Sequence, residues 1–439
     1  MIVMKFGGTS VGNADRIRNL SKIVSENIHR KPIVVVSAFN GVTDHLINLA
    51  YNALKGDLNL DWLINRYLNV MEELGLDFDL LKEEFKELEV ILKGISYLKE
   101  LNAKILDLVM SFGERTSSKI IAEYLNNVGI NARQFNAYDI GLITDSNFGN
   151  AEVLEQSYEN INKYLSNLKD CVPVITGFIG KDPKGRITTL GRGGSDYTAT
   201  IIGAAVNAEE VQIWTDVNGI MTADPKVCPN AKVIDALTYE EAYELAYFGA
   251  KVLHPKTILP AKRKNIPIRI LNSFNPSNKG TYIVANVERK RKVIAIVSKK
   301  NINIINIHSP KMFLAYGYLY KIFEVFNIHK IPVDLISTSE VNVSLTIENK
   351  YEVAELIKDL KEIADVELYP SRASISLIGK EINQEPNIAG KAFSILGEKG
   401  INIEMISSGS SKINISFVVN QELADLCVRE LHKVFFENE

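Results

Sequence analysis

Ile2-Val3-Met4-Lys5-Phe6-Gly7-Gly8-Thr9-Ser10 opens the chain as an apolar strand running into a glycine pair. Branched and aromatic residues favour extended backbone, and the two glycines make a tight turn easy. A helical stripe follows, with Ile17, Leu20, Val24 and Ile28 spaced by three and four. Ile33-Val34-Val35-Val36 is then apolar at every position, as a strand buried on both faces of a parallel sheet reads. Strand, turn, helix and strand in that order set the fold class. The alternation continues through Val172-Pro173-Val174-Ile175, Val211-Gln212-Ile213-Trp214 and Ile266-Pro267-Ile268-Arg269-Ile270-Leu271. It predicts an α/β fold, an αβα sandwich with a mainly parallel central sheet, over residues 1–285. Within it, 57–127 is helical almost throughout and is expected to cover one side of the sheet. Asn275–Gly280, rich in Asn, Ser and Pro, reads as a loop near the end of this region.

A length of 439 residues exceeds one average domain. A formal net charge of -3 carries no electrostatic footprint for nucleic acid. The basic runs Lys262-Arg263-Lys264 and Glu288-Arg289-Lys290-Arg291-Lys292 read as solvated helix ends or linkers. Cys171, Cys228 and Cys427 form no paired motif, so a reducing cytoplasm is expected. The six histidines form no ligand cluster, so no protein-held metal is expected. Neither a signal peptide nor a membrane span is visible.

The last third repeats itself. Ile331-Pro332-Val333-Asp334-Leu335-Ile336-Ser337 matches Ile401-Asn402-Ile403-Glu404-Met405-Ile406-Ser407 in apolar pattern. Val341-Asn342-Val343-Ser344-Leu345 likewise matches Ile413-Asn414-Ile415-Ser416-Phe417. Each copy follows a helical pattern, giving the βαββαβ order of a ferredoxin-like unit. The second copy ends on the helical stretch 421–436 and lacks a final strand, while an orphan strand, Val293-Ile294-Ala295-Ile296-Val297, precedes the first copy. The economical solution lets the orphan complete the second copy, with the first inserted in it. The expected divisions are 286–301 for linker and orphan strand, 302–370 for the first module and 371–439 for the second.

Four clusters could carry chemistry. Gly7 to Ser10 lie between strand and helix, where backbone N–H groups can converge on an anion. Gly7-x4-Gly12 imitates the start of a Walker A loop, but Asn13-Ala14 stands where Lys-Ser/Thr is needed, so that reading fails. Lys5 would instead reach phosphate from the strand end; the bland reading is a tight turn. Thr188-Thr189-Leu190-Gly191-Arg192-Gly193-Gly194-Ser195-Asp196 leads into a helix, with Arg192 suited to a carboxylate or phosphate and Ser195 or Asp196 equally suited to capping. Trp214-Thr215-Asp216-Val217-Asn218-Gly219-Ile220-Met221-Thr222-Ala223-Asp224-Pro225 follows a strand and reads as a binding loop or an Asn-Gly turn. In Phe248-Gly249-Ala250-Lys251-Val252-Leu253-His254-Pro255, His254 before Pro could simply end a helix.

Together, in this order, the clusters resemble the aspartate kinases of the amino acid kinase superfamily, and the likeness runs from end to end. The repeated tail is similar to that family's two ACT-type regulatory modules, the first inserted in the second. The resemblance implies ATP-dependent phosphorylation of L-aspartate to 4-phospho-L-aspartate, the first step toward lysine, threonine and methionine. It implies that Lys5, Gly7, Gly8 and Asp196 serve the transferring phosphoryl group, and that Ser37, Thr43, Glu114, Phe178, Arg192 and Ser195 surround aspartate. Thr215, Asp216, Met221, Lys226 and Lys251, with Lys5 and Gly8, would bind ATP, accompanied by Mg²⁺ held mainly by the phosphates. Met221 stands where many relatives have an aromatic residue, and Lys226 where Arg is common. An amino-acid effector, lysine favoured, would sit near Met312, Tyr318, Leu319, Val333, Asp334 and Ser339. A homodimer or dimer of dimers is implied, with no nucleic-acid or membrane partner.

The residue types suit that chemistry. A side-chain carboxylate with a pKa of about 3.9 is already an ionised nucleophile at neutral pH, so no catalytic base is needed. Positioning and cationic stabilisation remain, which Lys5 and the glycine loops could supply. Arg192 suits an α-carboxylate and Glu114 an α-ammonium. The rivals are a kinase for glutamate, acetylglutamate or UMP, and a dead amino-acid sensor. The absence of G-x-G-x-x-G argues against a fused homoserine dehydrogenase.

Overall fold

The computed structural model describes residues 1–249, 253–289, 291–313, 315–408 and 412–437. They form two compact units: 1–220 with 235–239 and 252–287, and 221–234 with 240–251 and 288–439. Two stretches of the region read as catalytic, 221–234 and 240–249, therefore group with the second unit.

The strands of the first unit are β1 Ile2–Phe6, β2 Pro32–Val36, β3 Ala132–Phe135, β4 Val172–Thr176, β5 Ile179–Lys181, β6 Ile187–Thr189, β7 Glu210–Thr215, β8 Ala236–Thr238, β9 Ile268–Asn272 and β10 Thr281–Val284. Eight of them make one sheet in the order β3-β4-β2-β1-β7-β9-β10-β8, while β5 and β6 pair separately. Every neighbour in the large sheet is parallel except β9 with β10. β1, β2 and β4 are buried at every position; β2 is apolar throughout, while β1 carries Lys5 and β4 carries Thr176 near their carboxyl ends. Each buried Val or Ile there contributes about 1.5–3 kcal/mol, so a charge in β2 would break the sheet.

Side chains alternate between faces. Ile2, Met4, Phe6, Val34 and Val36 join the apolar core of the helical lobe, which comprises Val42–Leu54, Asp61–Leu74, Lys82–Leu98, Ala103–Met110 and Phe112–Asn127. The helix Gly194–Ala205 packs on β1, β2 and β7 from the other face, where Gly203 leaves room for Val211. After a one-turn helix, Gly8–Val11, the helix Ala14–Glu26 starts at Asn13, whose side chain accepts from the Arg16 amide at 3.0 Å. It stops before Ile28, which lies in a 3-10 turn and is 47% exposed. The apolar stripe is thus one residue shorter than its periodicity predicts.

The second unit contains β11 Ala295–His308, β12 Ile336–Thr338, β13 Asn342–Glu348, β14 Asp365–Ile378, β15 Met405–Ser407 and β16 Asn414–Asn420, in the order β12-β13-β11-β14-β16-β15. All its pairings are antiparallel. β11 serves both repeats. Its first part, Ala295–Lys299, pairs with Ser374–Ile378; after a register shift, Ile302–His308 pairs with β13 and with the first part of β14. Each repeat has its own apolar core, one around Ile305, Ile322 and Leu345, the other around Ile375, Phe417 and Leu431. No helix among the described residues is long and apolar enough to cross a membrane.

Candidate active site

Parallel strands send their following loops to one edge of the sheet, and ligands of such folds gather there. At the carboxyl ends of β1, β2 and β4 lies a cavity of about 380 Å³. Lys5, Gly8, Ser37, Thr43, Glu114, Phe178, Ser195 and Asp196 all line it, with Gly191, Gly193 and Gly194 between them. Eight residues proposed from the sequence thus converge on one space.

Lys5, nearly buried at the end of β1, places Nζ 2.5 Å from Asp196 Oδ1. The contact is a close ion pair rather than an aligned hydrogen bond. Asp196 is in the first turn of Gly194–Ala205, where backbone amides favour negative charge. Two close approaches need glycine. A Cβ on Gly8 would stand 2.9 Å from Ala38 O, and one on Gly193, with φ +68, would stand 2.6 Å from His254 Cβ.

Glu114 enters from the lobe. Its Oε1 accepts from the Ala38 amide at 3.1 Å, while Oε2 is buried with no partner. Burial pushes its pKa up to about 8, against the amide of Ala38 and the charge of Lys5, which pull it down. An unpartnered carboxylate oxygen at 3% residue exposure is a waiting acceptor for a cationic group. Phe178 adopts φ 66, rare for an aromatic residue, held by its amide donating to Thr198 Oγ1 at 3.1 Å and by its carbonyl accepting from Leu190.

Other expected residues stand elsewhere. Arg192 is exposed and does not line the cavity, although its neighbours Gly191 and Gly193 do. Its charge helps lower the pKa of His254, after burial and Lys256. Gly7 binds through its amide to Trp214 O at 3.1 Å. Thr215 and Asp216 follow β7, with Thr215 Oγ1 donating to Asp216 Oδ1 at 3.2 Å. Met221 and Lys226 belong to the second unit, where Met221 bridges Val233 and Lys226 is exposed. Lys251 lies outside the described residues. His254 begins a helix rather than ending one: Lys256 N–H donates to its Nδ1 at 3.3 Å, and Pro255 occupies the first turn.

Sequence reading missed Asn40, Gly41 and Asp44, which also line the cavity. The Asn-Gly pair after an all-apolar strand was the available signal. It also missed Asp107, a buried carboxylate accepting from Thr189 N, Thr189 Oγ1 and Gly149 N at 2.8–2.9 Å. Asp107 thereby holds the strand that feeds Gly191–Gly194.

In the second unit a cavity of about 360 Å³ is lined by Met312, Tyr318, Leu319 and Ser339, together with Thr338 and Glu340. Val333 and Asp334 do not line it. Asp334 is ion-paired with Lys299 at 2.7 Å, so its carboxylate is already engaged.

The amino acid kinase family model matches residues 1–272, and an ACT domain model matches residues 375–435. The chain is 40% identical to aspartokinase 3, chloroplastic, of Arabidopsis thaliana, over 100% of this chain and 82% of that protein. It is 35% identical to lysine-sensitive aspartokinase 3 of Escherichia coli (strain K12), over 100% and 99% respectively. Among solved structures, E. coli aspartokinase III in complex with aspartate and ADP (R-state) matches with a TM-score of 0.86 at 33% identity, over 99% of this chain and 100% of that one.

Proposed function

Because the chain belongs to the aspartokinases of the amino acid kinase family, we propose that it transfers the γ-phosphoryl group of ATP to the side-chain carboxylate of free L-aspartate. The observation that carries this reading is the pairing, in one cavity, of the unpartnered Glu114 carboxylate with the Lys5–Asp196 ion pair. The first suits an α-ammonium; the second suits a phosphoryl group meeting an anionic nucleophile.

Lys5 would offset the repulsion between an attacking carboxylate and the γ-phosphoryl group, with the Gly8 amide adding an N–H donor while Gly7, bonded to Trp214 O, holds the turn. Asp196 holds the ammonium of Lys5 on that spot until ATP competes for it. Ser37, Thr43 and Ser195 offer hydroxyls to the substrate, Phe178 closes the apolar side, and Arg192 would turn inward to bind the α-carboxylate. Mg²⁺, carried on the phosphates of ATP with Asp196 as the cavity carboxylate suited to it, would supply further charge neutralisation. Thr215, Asp216, Met221, Lys226 and Lys251 are assigned to the nucleotide.

The proposed organisation is a catalytic region over 1–285, a linker with the shared strand over 286–301, and regulatory modules over 302–370 and 371–439. The effector, with lysine favoured by the name of the E. coli relative, is assigned to Met312, Tyr318, Leu319 and Ser339, whose side chains share a cavity. Val333 and Asp334 are left in supporting positions. Assembly as a homodimer or dimer of dimers and residence in the cytoplasm complete the reading; three free cysteines fit a reducing compartment.

Trapping the acyl phosphate with hydroxylamine tests the reaction. Hydroxamate that requires both ATP and L-aspartate is expected. Its absence with aspartate, or equal yield with glutamate, refutes the assignment.

A further inference from the structure

The loop Met221–Ile234 carries two of the residues assigned to the nucleotide, and its packing lies within the second unit. Its limbs are joined by the Met221–Val233 bridge and by Thr222 N–H donating to Lys232 O at 2.9 Å. Ala223 and Cys228 sit in the apolar cluster of the second repeat, alongside Leu431 and Phe436. Lys226 stands exposed between them, its amide held by Asp224 Oδ1 at 2.9 Å.

A chain of polar contacts crosses this otherwise apolar place. Lys232 N–H donates to Thr222 Oγ1 at 3.0 Å, and Thr222 Oγ1 lies 3.0 Å from His432 Nε2. His432 Nδ1 lies 2.8 Å from Glu437 Oε1, and Asn230 Nδ2 donates to Glu437 Oε2 at 3.1 Å. The Glu437 carboxylate can only accept, so Nδ1 carries the proton directed at it, and in the neutral ring Nε2 accepts from the Thr222 hydroxyl, which itself accepts from Lys232. Hydrogen bonds from His432 and Asn230 hold the Glu437 carboxyl below the usual range. The path is closed: Thr222 on one limb meets His432, Asn230 on the other meets Glu437, and Lys232 joins the second limb back to Thr222.

His432 has no exposed surface. An imidazole there must have both nitrogens satisfied, whereas an apolar side chain would fill the space without that requirement. What the imidazole adds is direction, because the network accepts one arrangement of the loop.

We propose that His432 and Glu437 are positioning residues, acting through Thr222 and Asn230 to fix the conformation of the loop that carries Met221 and Lys226, the two residues assigned to ATP. This rests on the nucleotide role assigned to that loop.

The test is steady-state kinetics of the full chain with Thr222→Val, Glu437→Ala and, in parallel, Lys226→Ala. Thr222→Val removes one buried hydroxyl, and Glu437→Ala removes the partly exposed end of the chain without opening the core. Each is expected to raise KM for ATP about five- to tenfold, the loss of one or two hydrogen bonds. KM for aspartate should move by less than twofold, and Thr222→Ser should restore the wild-type value. Unchanged KM for ATP in both variants while Lys226→Ala raises it overturns the clasp alone. Equal changes in both KM values, with no rescue by Ser, reduce it to a fold-stabilising contact and also overturn it. An unchanged KM for ATP in Lys226→Ala removes the loop's nucleotide role itself.

Discussion

Replacing Glu114 by Gln removes a charge that the cavity holds at a cost. Burial raises this carboxyl from 4.5 to about 8. At about 1.4 kcal/mol per tenfold change in proton affinity, the ionised form costs the folded protein about 5 kcal/mol at pH 9 and about 3 at pH 7. The folded pKa lies above the unfolded one, so the related stability is fully present below pH 4.5 and is lost as pH rises through 8. Glu114→Gln should therefore melt higher than wild type, with a gap that widens from pH 6 to 9. The substrate reverses the balance. An α-ammonium needs the anion, so aspartate binding should release a proton below pH 8. Wild-type kcat/KM for aspartate should climb with pH and level off near 8. In Glu114→Gln that limb should vanish, and kcat/KM should fall about 10- to 100-fold, the worth of a charged hydrogen bond. Melting curves by calorimetry across pH and initial rates at limiting aspartate read both effects. A variant that keeps the pH limb, or melts lower at pH 9, refutes the argument.

Lys5→Ala should cut kcat by about 10³, since a unit charge at 4 Å is worth about 4 kcal/mol at an effective dielectric of 20. Unaltered circular dichroism with near-normal turnover would remove Lys5 from phosphoryl transfer. Gly8→Ala should push its new methyl against Ala38 O and Asn40 N, both backbone atoms, at a cost of about 1–3 kcal/mol and at least tenfold in activity; wild-type rates would show that the loop yields. Tyr318→Ala should shift the lysine concentration for half-inhibition at least fivefold, measured against the variant's own uninhibited rate, and an unmoved titration would exclude that cavity as the effector site.

Much of the first unit was legible because its signals are local. β2 is apolar at every position, and β1 and β4 are so but for Lys5 and Thr176 near their carboxyl ends; a strand covered on both faces needs that. Gly8, Gly191, Gly193 and Gly194 mark close approaches that a Cβ would spoil. Glu114 was different. Its neighbours Phe112, Gly113 and Arg115 read as ordinary helix, and its role entered through family resemblance, because its burial depends on β2 and the lobe closing over it. The packing of Met221–Ile234 was hidden for a related reason. Ala223, Val227 and Cys228 are too sparse to show a period, so nothing local says which core they join. Asp334 misled in the opposite sense, since a strand-end carboxylate looks free until Lys299 is placed beside it.

β11 has a consequence for how the chain is made. Ile302–His308 finds its partner in β13 soon after both leave the ribosome, so the first repeat can close early. Ala295–Lys299 belongs to the same strand but must wait for Ser374–Ile378 and for the helix Ala424–His432 that packs on β11. For that interval a nascent chain carries an open apolar edge, Ala295-Ile296-Val297, fixed in place by the half already folded. Translation speed through the second repeat thus sets how long that edge is offered to neighbouring chains.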